Sequence, residues 1–215
     1  MIKAIETVYN GYRFRSRLEA RWAVFFDTLG IRYEYEKEGF ELPSGRYLPD
    51  FWLLEQGIWF EVKGKEPTKR EGRLITELCA ATSKEVILYH GPVELPQKWE
   101  IKSIRAEYKG ICTYFAYSLN KLPNGTQILK EILIQGVRHF QVHGPYVACT
   151  TNFLWGQCPI CGKLDLVKEG RGCCIPCIDR GVDSLNAICR EDSPMLLSAY
   201  CAARQARFEY GENGR

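Results

Sequence analysis

No apolar run in the 215 residues approaches the about 20 that cross a bilayer as a helix, so no membrane partner is expected. The opening, Met1-Ile2-Lys3-Ala4-Ile5-Glu6, lacks the apolar core of a signal peptide, which points to a cytoplasmic protein. Charge of one sign is also missing. The balance of 29 Lys and Arg against 26 Asp and Glu leaves +3, too little to argue nucleic-acid binding from net charge. What is present excludes global disorder. Hydrophobic residues make up 46%, enough for a real core, and the length suits one medium domain with an appendage or two small domains.

Cysteine is plentiful and unevenly placed. Cys158, Cys161, Cys173, Cys174 and Cys177 fall within twenty residues, while Cys79, Cys112, Cys149, Cys189 and Cys201 are scattered. Without a signal peptide, metal binding is the better reading of the cluster, and buried free thiols of the rest, than structural disulfides. Trp155-Gly156-Gln157-Cys158-Pro159-Ile160-Cys161-Gly162 has the spacing of a zinc knuckle, and Cys173-Cys174-Ile175-Pro176-Cys177 supplies a second half. Two Cys-x2-Cys pairs place four soft ligands around a tetrahedral ion. The expected set is Cys158, Cys161, Cys174 and Cys177, with Cys173 able to replace Cys174; a redox dithiol is the competing reading. Four thiolates leave no open position for water, so the zinc is structural, and the ribbon is too small to fold without it. Lys163, Lys168, Arg171 and Arg180 suit DNA, but ribbons dock on proteins as readily.

The most informative stretch runs from Tyr47-Leu48-Pro49-Asp50-Phe51-Trp52-Leu53-Leu54 to Ile58-Trp59-Phe60-Glu61-Val62-Lys63-Gly64. Two runs rich in aromatic and β-branched residues flank Glu55-Gln56-Gly57, which reads as a β-hairpin closed at its glycine. Alternation puts Glu61 and Lys63 on one face and Phe60 and Val62 on the other, and Asp50 can face the polar pair from the partner strand. A cross-strand salt bridge, worth about 0.2–1 kcal/mol, explains Glu61 with Lys63 but not Asp50. Two carboxylates about 4 Å apart would repel by roughly 4 kcal/mol at an effective dielectric of 20. A divalent cation between them removes that repulsion.

Pro49-Asp50 followed by Glu61-Val62-Lys63 resembles the signature of the PD-(D/E)xK nuclease superfamily. The match widens to Phe14-Arg15-Ser16-x-Leu18-Glu19, Leu29-Gly30-Ile31-x-Tyr33-Glu34-Tyr35-Glu36, Pro49-Asp50-Phe51 and Gly57-Ile58-x-Phe60-Glu61-x-Lys63-Gly64. Over about residues 13 to 64 it is similar to the junction-resolving endonuclease I of tailed phages. The resemblance implies a restriction-endonuclease-like αβββαβ core with a mixed central sheet. It also implies a metal-dependent endodeoxyribonuclease, structure-specific for branched or junction DNA, in a bacterial or phage-infected cell. Glu19, Asp50, Glu61 and Lys63, with Glu34, carry over as catalytic. Mg²⁺ or Mn²⁺ would rest on Asp50, Glu61, Glu19 and the Val62 carbonyl, and a homodimer is one possibility. Past residue 64 this chain departs from that family, being longer and ending in the cysteine segment. A nuclease fold kept as a DNA- or protein-binding subunit of a transposition, defence or counter-defence system is the rival function.

Periodicity orders the rest independently. Ser16-Arg17-Leu18-Glu19 opens a helix whose Leu18, Trp22, Phe25 and Leu29 form an apolar stripe, and Gly30 stops it. Ser-x-x-Glu is also a capping box, a second use for Glu19. Ile31–Glu36 reads as a strand, a helix follows Glu66-Pro67-Thr68 to about Thr82, and Glu85–His90 is a strand. These reproduce the order αβββαβ. Arg13, Arg15, Arg17 and Arg21 before and within the first helix, and Lys63, Lys65, Lys69, Arg70 and Arg73 after the hairpin, flank the acids as a phosphate-tracking groove requires. Ile111–Tyr117 suggests a strand and 127–137 an amphipathic helix. His139 and His143, four apart, read as ordinary histidines rather than ligands. Ser193-Pro194 starts a last helix running to about Phe208, with serine as its cap. The divisions are 1–110 (nuclease core), 111–150 (an α/β extension), 151–182 (zinc ribbon) and 183–215 (C-terminal helix and tail).

Overall fold

A computed structural model describes residues 4–65, 67–93, 114–121, 127–134, 153–168, 173–182 and 193–208. His139, His143, Cys112, Cys149, Cys189, Arg171 and the tail 211–215 lie outside the described residues. In chain order the elements are β1 (Thr7–Tyr9), β2 (Tyr12–Phe14), α1 (Arg17–Leu29), β3 (Tyr33–Tyr35), β4 (Phe40–Leu42), β5 (Gly45–Tyr47), β6 (Phe51–Leu53) and β7 (Ile58–Lys63). There follow α2 (Lys69–Thr82), β8 (Val86–His90), β9 (Tyr114–Lys121), β10 (Gln127–Ile134), β11 (Phe153–Gln157), β12 (Leu164–Lys168), β13 (Cys173–Cys174), α3 (Ile175–Asp179) and α4 (Pro194–Gln205).

The chain is mixed α/β. Its main sheet has the order β10-β9-β8-β7-β6-β3. Only β7 and β8 run parallel, joined by α2, and the other pairs are antiparallel. A parallel pair cannot be closed by a tight turn and needs such a crossover. The register sorts the two faces. Tyr35, Phe51, Phe60 and Ile87 stand side by side across four strands and meet α1 through Trp22 and Phe26. On the reverse face Trp59, Val86 and Leu88 meet Leu74, Ile75, Leu78 and Cys79 of α2.

Both helices carry start signals that work as built. Ser16 caps α1 by accepting the Glu19 N–H, and Gly30 ends it at φ 69°, a left-handed position that costs glycine little. Thr68 and Glu71 close a reciprocal capping box on α2.

Several sequence expectations need correction. Tyr47 does not belong to the strand after it: β5 ends there, in a small hairpin with β4, and β6 begins only at Phe51. Residues 127–134 form strand β10, not a helix, because β9 offers a free edge along which all eight residues pair. Ile128, Leu129, Ile132 and Leu133 fit either period, and tertiary pairing decides. α4 stops at Gln205, and the Ser193 side chain makes no cap hydrogen bond.

The cysteine segment is not a free-standing module. Trp155, Leu166 and Ile175 share one buried cluster with α1 and the main sheet, and so do Leu196, Ala199, Tyr200 and Ala203 of α4. Phe25 of α1 stacks edge-on to Trp155 and lies 4.6 Å, centroid to centroid, from Tyr200. Gln56, in the turn between β6 and β7, donates to Asp165 of β12 at 2.6 Å, and both side chains are buried. No helix among the described residues is long and apolar enough to cross a membrane.

Candidate active site and metal centre

The ladder between β6 and β7 has three pairs, Leu53–Ile58, Trp52–Trp59 and Phe51–Phe60. The next pair would be Asp50 with Glu61, and there side chains replace the backbone ladder. The Asp50 N–H donates to Glu61 Oε1 at 3.0 Å, and the Val62 N–H donates to Asp50 Oδ2 at 2.8 Å. Each acid thus satisfies a backbone donor of the other's strand, which fixes both carboxylates where the strands part. Both are buried, Glu61 completely. Lys63 Nζ reaches Glu61 Oε2 at 3.3 Å and lies 4.0 Å from Asp50 Oδ2. Asp50, Glu61 and Lys63 are therefore together, and Val62 enters through its N–H.

Glu19 approaches from α1. Tyr35 Oη donates to its Oε2 at 2.6 Å, the Arg15 N–H to the same oxygen at 3.0 Å, and Ser16 Oγ to Oε1 at 2.7 Å. The carboxylate serves the helix start and the site at once. Burial, then the charge of Asp50, raise its pKa against the Tyr35 and Ser16 donors. Glu34 is elsewhere: it sits opposite Trp52 on β3 and pairs with Lys37 at 3.0 Å. Its neighbour Glu36 is the acid that joins the site, through Arg15 Nε at 2.6 Å. Arg15 also donates from Nη2 to Asp50 Oδ1 at 2.8 Å.

Sequence reasoning missed Glu36, Tyr35 and Tyr47. Tyr35 had a signal, since alternation from Tyr33 sends it to the α1 face; Glu36 had none, because the chain leaves β3 there at a positive φ of 47°. Tyr47 had none, because its position depends on the β4–β5 hairpin. Its ionisation is opposed by burial and then by the charges of Glu61 and Asp50, so its hydroxyl stays neutral.

The site's electrostatics are acidic at heart. Burial foremost, then Glu61, push Asp50 up to about 7, against Lys63, the Val62 N–H and Arg15. Burial would lower the Lys63 ammonium, but Asp50 and Glu61 outweigh it, and its pKa is raised. Glu19, Glu36, Asp50 and Glu61 set four carboxyls against the two cations Arg15 and Lys63, an excess of two negative charges when all are ionised. Such an excess suits a divalent cation, and an all-oxygen donor set suits a hard one.

The basic residues proposed for a groove fall on several elements. Lys65, Lys69, Arg70 and Arg73 are exposed where β7 ends and α2 begins. Arg17 opens α1, and Arg13 is exposed beside Glu6 at 3.5 Å. Arg15 and Lys63 pair with the acids.

The second centre is the cysteine quartet. Cys158, Cys161, Cys174 and Cys177 bring their sulfurs within 4.8 Å of one another, with Cys161 and Cys174 3.7 Å apart. Four sulfurs at about 2.3 Å from a tetrahedral zinc would be roughly 3.8 Å apart. The quartet can hold a structural metal such as zinc. It is the one group of three or more His, Cys, Asp or Glu side chains among the described residues that converges in this way. Cys173 is excluded from the set because its thiol donates to the Val182 carbonyl at 3.2 Å. Burial raises the Cys158 thiol, but N–H donors from Cys161, Cys174 and Ile160 bring it down to about 7. Arg180 donates to Cys177 Sγ at 3.3 Å, a partner for thiolate charge. No disulfide joins the seven described cysteines.

No family model, curated protein or solved structure matches the chain.

Proposed function

We propose that the protein is a divalent-metal-dependent endodeoxyribonuclease of the PD-(D/E)xK kind, with a restriction-endonuclease-like core and a structural Zn²⁺ on Cys158, Cys161, Cys174 and Cys177. The observation that carries this reading is the crossed bonding of Asp50 and Glu61 where β6 and β7 separate, with Lys63 over both. Asp50 and Glu61 would hold Mg²⁺ or Mn²⁺, with Glu19 as an outer ligand. The bound ion would polarise the scissile phosphate and lower the pKa of a water. Lys63, kept charged by its two acids, orients that water and offsets charge developing on the phosphate. Lys65, Lys69, Arg70 and Arg73 follow the backbone of the DNA. The branched-DNA preference rests on the resemblance over about residues 13 to 64, and the chain beyond residue 64, which departs from that family, is where specificity would be set.

The test is cleavage of linear, forked and four-way DNA with Mg²⁺, Mn²⁺ or EDTA. Nicking that depends on the divalent ion, and is fastest on a branched substrate, is expected. Binding of DNA without cleavage under every metal would leave a nuclease fold that only binds.

The acid pair also predicts a pH dependence. Asp50 holds its proton more tightly in the folded chain, about 7, than at its ordinary 3.8. The stability this adds is fully present below the ordinary value and is lost as pH rises through about 7. Mg²⁺ should therefore raise the melting temperature little at mildly acidic pH and most at mildly alkaline pH. A Mg²⁺ effect that does not change across that range contradicts the assignment of Asp50.

A further inference from the structure

Arg15 occupies a place that a groove residue would not need. Its backbone is pinned, the N–H shared between Glu19 Oε2 and Tyr35 Oη, both at 3.0 Å. Its side chain is half exposed and forks between two carboxylates, Glu36 at 2.6 Å and Asp50 at 2.8 Å, with the Leu48 carbonyl at 3.4 Å. Asp50 Oδ2 already accepts the Val62 N–H and lies near Lys63, so Oδ1, which Arg15 holds, is the oxygen through which Asp50 can most readily take a metal. A guanidinium and a divalent ion on one carboxylate oxygen repel each other, and only one can hold it closely.

We infer that Arg15 is a counter-ion of Asp50 that a divalent cation displaces, freeing it to take a phosphate of the nucleic acid. The inference rests on the proposed metal site and adds a positioning residue to it. The pinned backbone keeps the guanidinium within reach of the site while its exposed side swings, and a planar fork suits phosphate as it suits carboxylate. Two consequences follow. Without DNA, Arg15 competes with the metal. With DNA, a phosphate draws Arg15 away, so DNA tightens metal binding and metal tightens DNA binding by the same factor.

The experiment measures Mn²⁺ affinity by electron paramagnetic resonance at mildly alkaline pH. It compares the full chain with Arg15→Gln, Arg15→Lys and Asp50→Asn, alone and with an uncleavable phosphorothioate junction. Arg15→Gln should bind Mn²⁺ about fivefold or more tighter than the unaltered chain without DNA, and gain less from adding DNA. Arg15→Lys keeps charge without the fork and should fall between, which carries the test if Arg15→Gln does not fold. Equal or weaker Mn²⁺ binding by folded Arg15 variants overturns the inference. Asp50→Asn separates the two ideas: if it binds Mn²⁺ as the unaltered chain does, the metal site itself is wrong.

Discussion

Asp50→Asn and Glu61→Gln should each reduce DNA cleavage by at least about 10²–10³-fold, the scale on which losing one group that stabilises a transition state is felt. Binding to the same DNA should persist, because the exposed Lys65, Lys69, Arg70 and Arg73 are untouched. The substitutions are nearly isosteric, yet their effects on folding differ. Asparagine at 50 can still accept the Val62 N–H through its carbonyl oxygen and removes a buried charge that repels Glu61, but its amide then faces the Arg15 guanidinium that donates to Oδ1 at 2.8 Å. The two changes oppose each other, so the variant should stay close in stability to the unaltered chain. Glutamine at 61 can still accept the Asp50 N–H, but its amide faces the Lys63 ammonium that now approaches Oε2 at 3.3 Å. Lost activity with preserved or raised melting temperature would place these groups in chemistry rather than in packing. Substantial cleavage by either pure variant would remove the acid pair from the mechanism.

Much of this site was open to reading because strand and helix periods are local. Glu61 and Lys63 are two apart on a strand, so they share a face whatever else the chain does. α1 is equally plain, with Ser16 as cap and Gly30 as stop, and of the expected stripe Trp22 and Phe25 are buried while Leu18 and Leu29 are partly so. The missing parts depend on contacts remote in sequence. Tyr47 comes beside the acids because β4 and β5 form their own hairpin, which no turn signal at Ser44-Gly45 was used to predict. Glu36 displaces Glu34 because β3 is short and the chain leaves it at a positive φ of 47°. By its charge Arg15 suits DNA, and only the fold shows it turned onto Asp50. β10 reads as a helix because Ile128, Leu129, Ile132 and Leu133 suit one until an unpaired neighbouring strand is available.

The integration of the cysteine segment leads to the other large effect. With zinc as the ion, Cys174→Ser should lower the melting temperature of the entire protein, not of the ribbon alone. Zinc at a structural site contributes about 10–16 kcal/mol in small peptides, and an impaired fourth ligand forfeits several kcal/mol of that. At roughly 2–4 °C per kcal/mol for a chain of this size, a fall of about 10 °C or more is expected. An independent ribbon would confine the loss to itself. Here Trp155 packs on Phe25 and Phe26 of α1, the helix that carries Glu19, and Asp165 holds Gln56 at the end of the hairpin that carries Asp50 and Glu61. Loosening β11 and β12 therefore loosens both supports of the acid site. Calorimetry should show one cooperative transition moving down, and Cys173→Ser, whose hydroxyl can keep the bond to the Val182 carbonyl, should leave zinc content unchanged. If Cys174→Ser instead lost its zinc while the transition of the main sheet stayed in place, the shared core would not be coupling the two centres, and the segment would have to be read as a reader of DNA or protein in its own right.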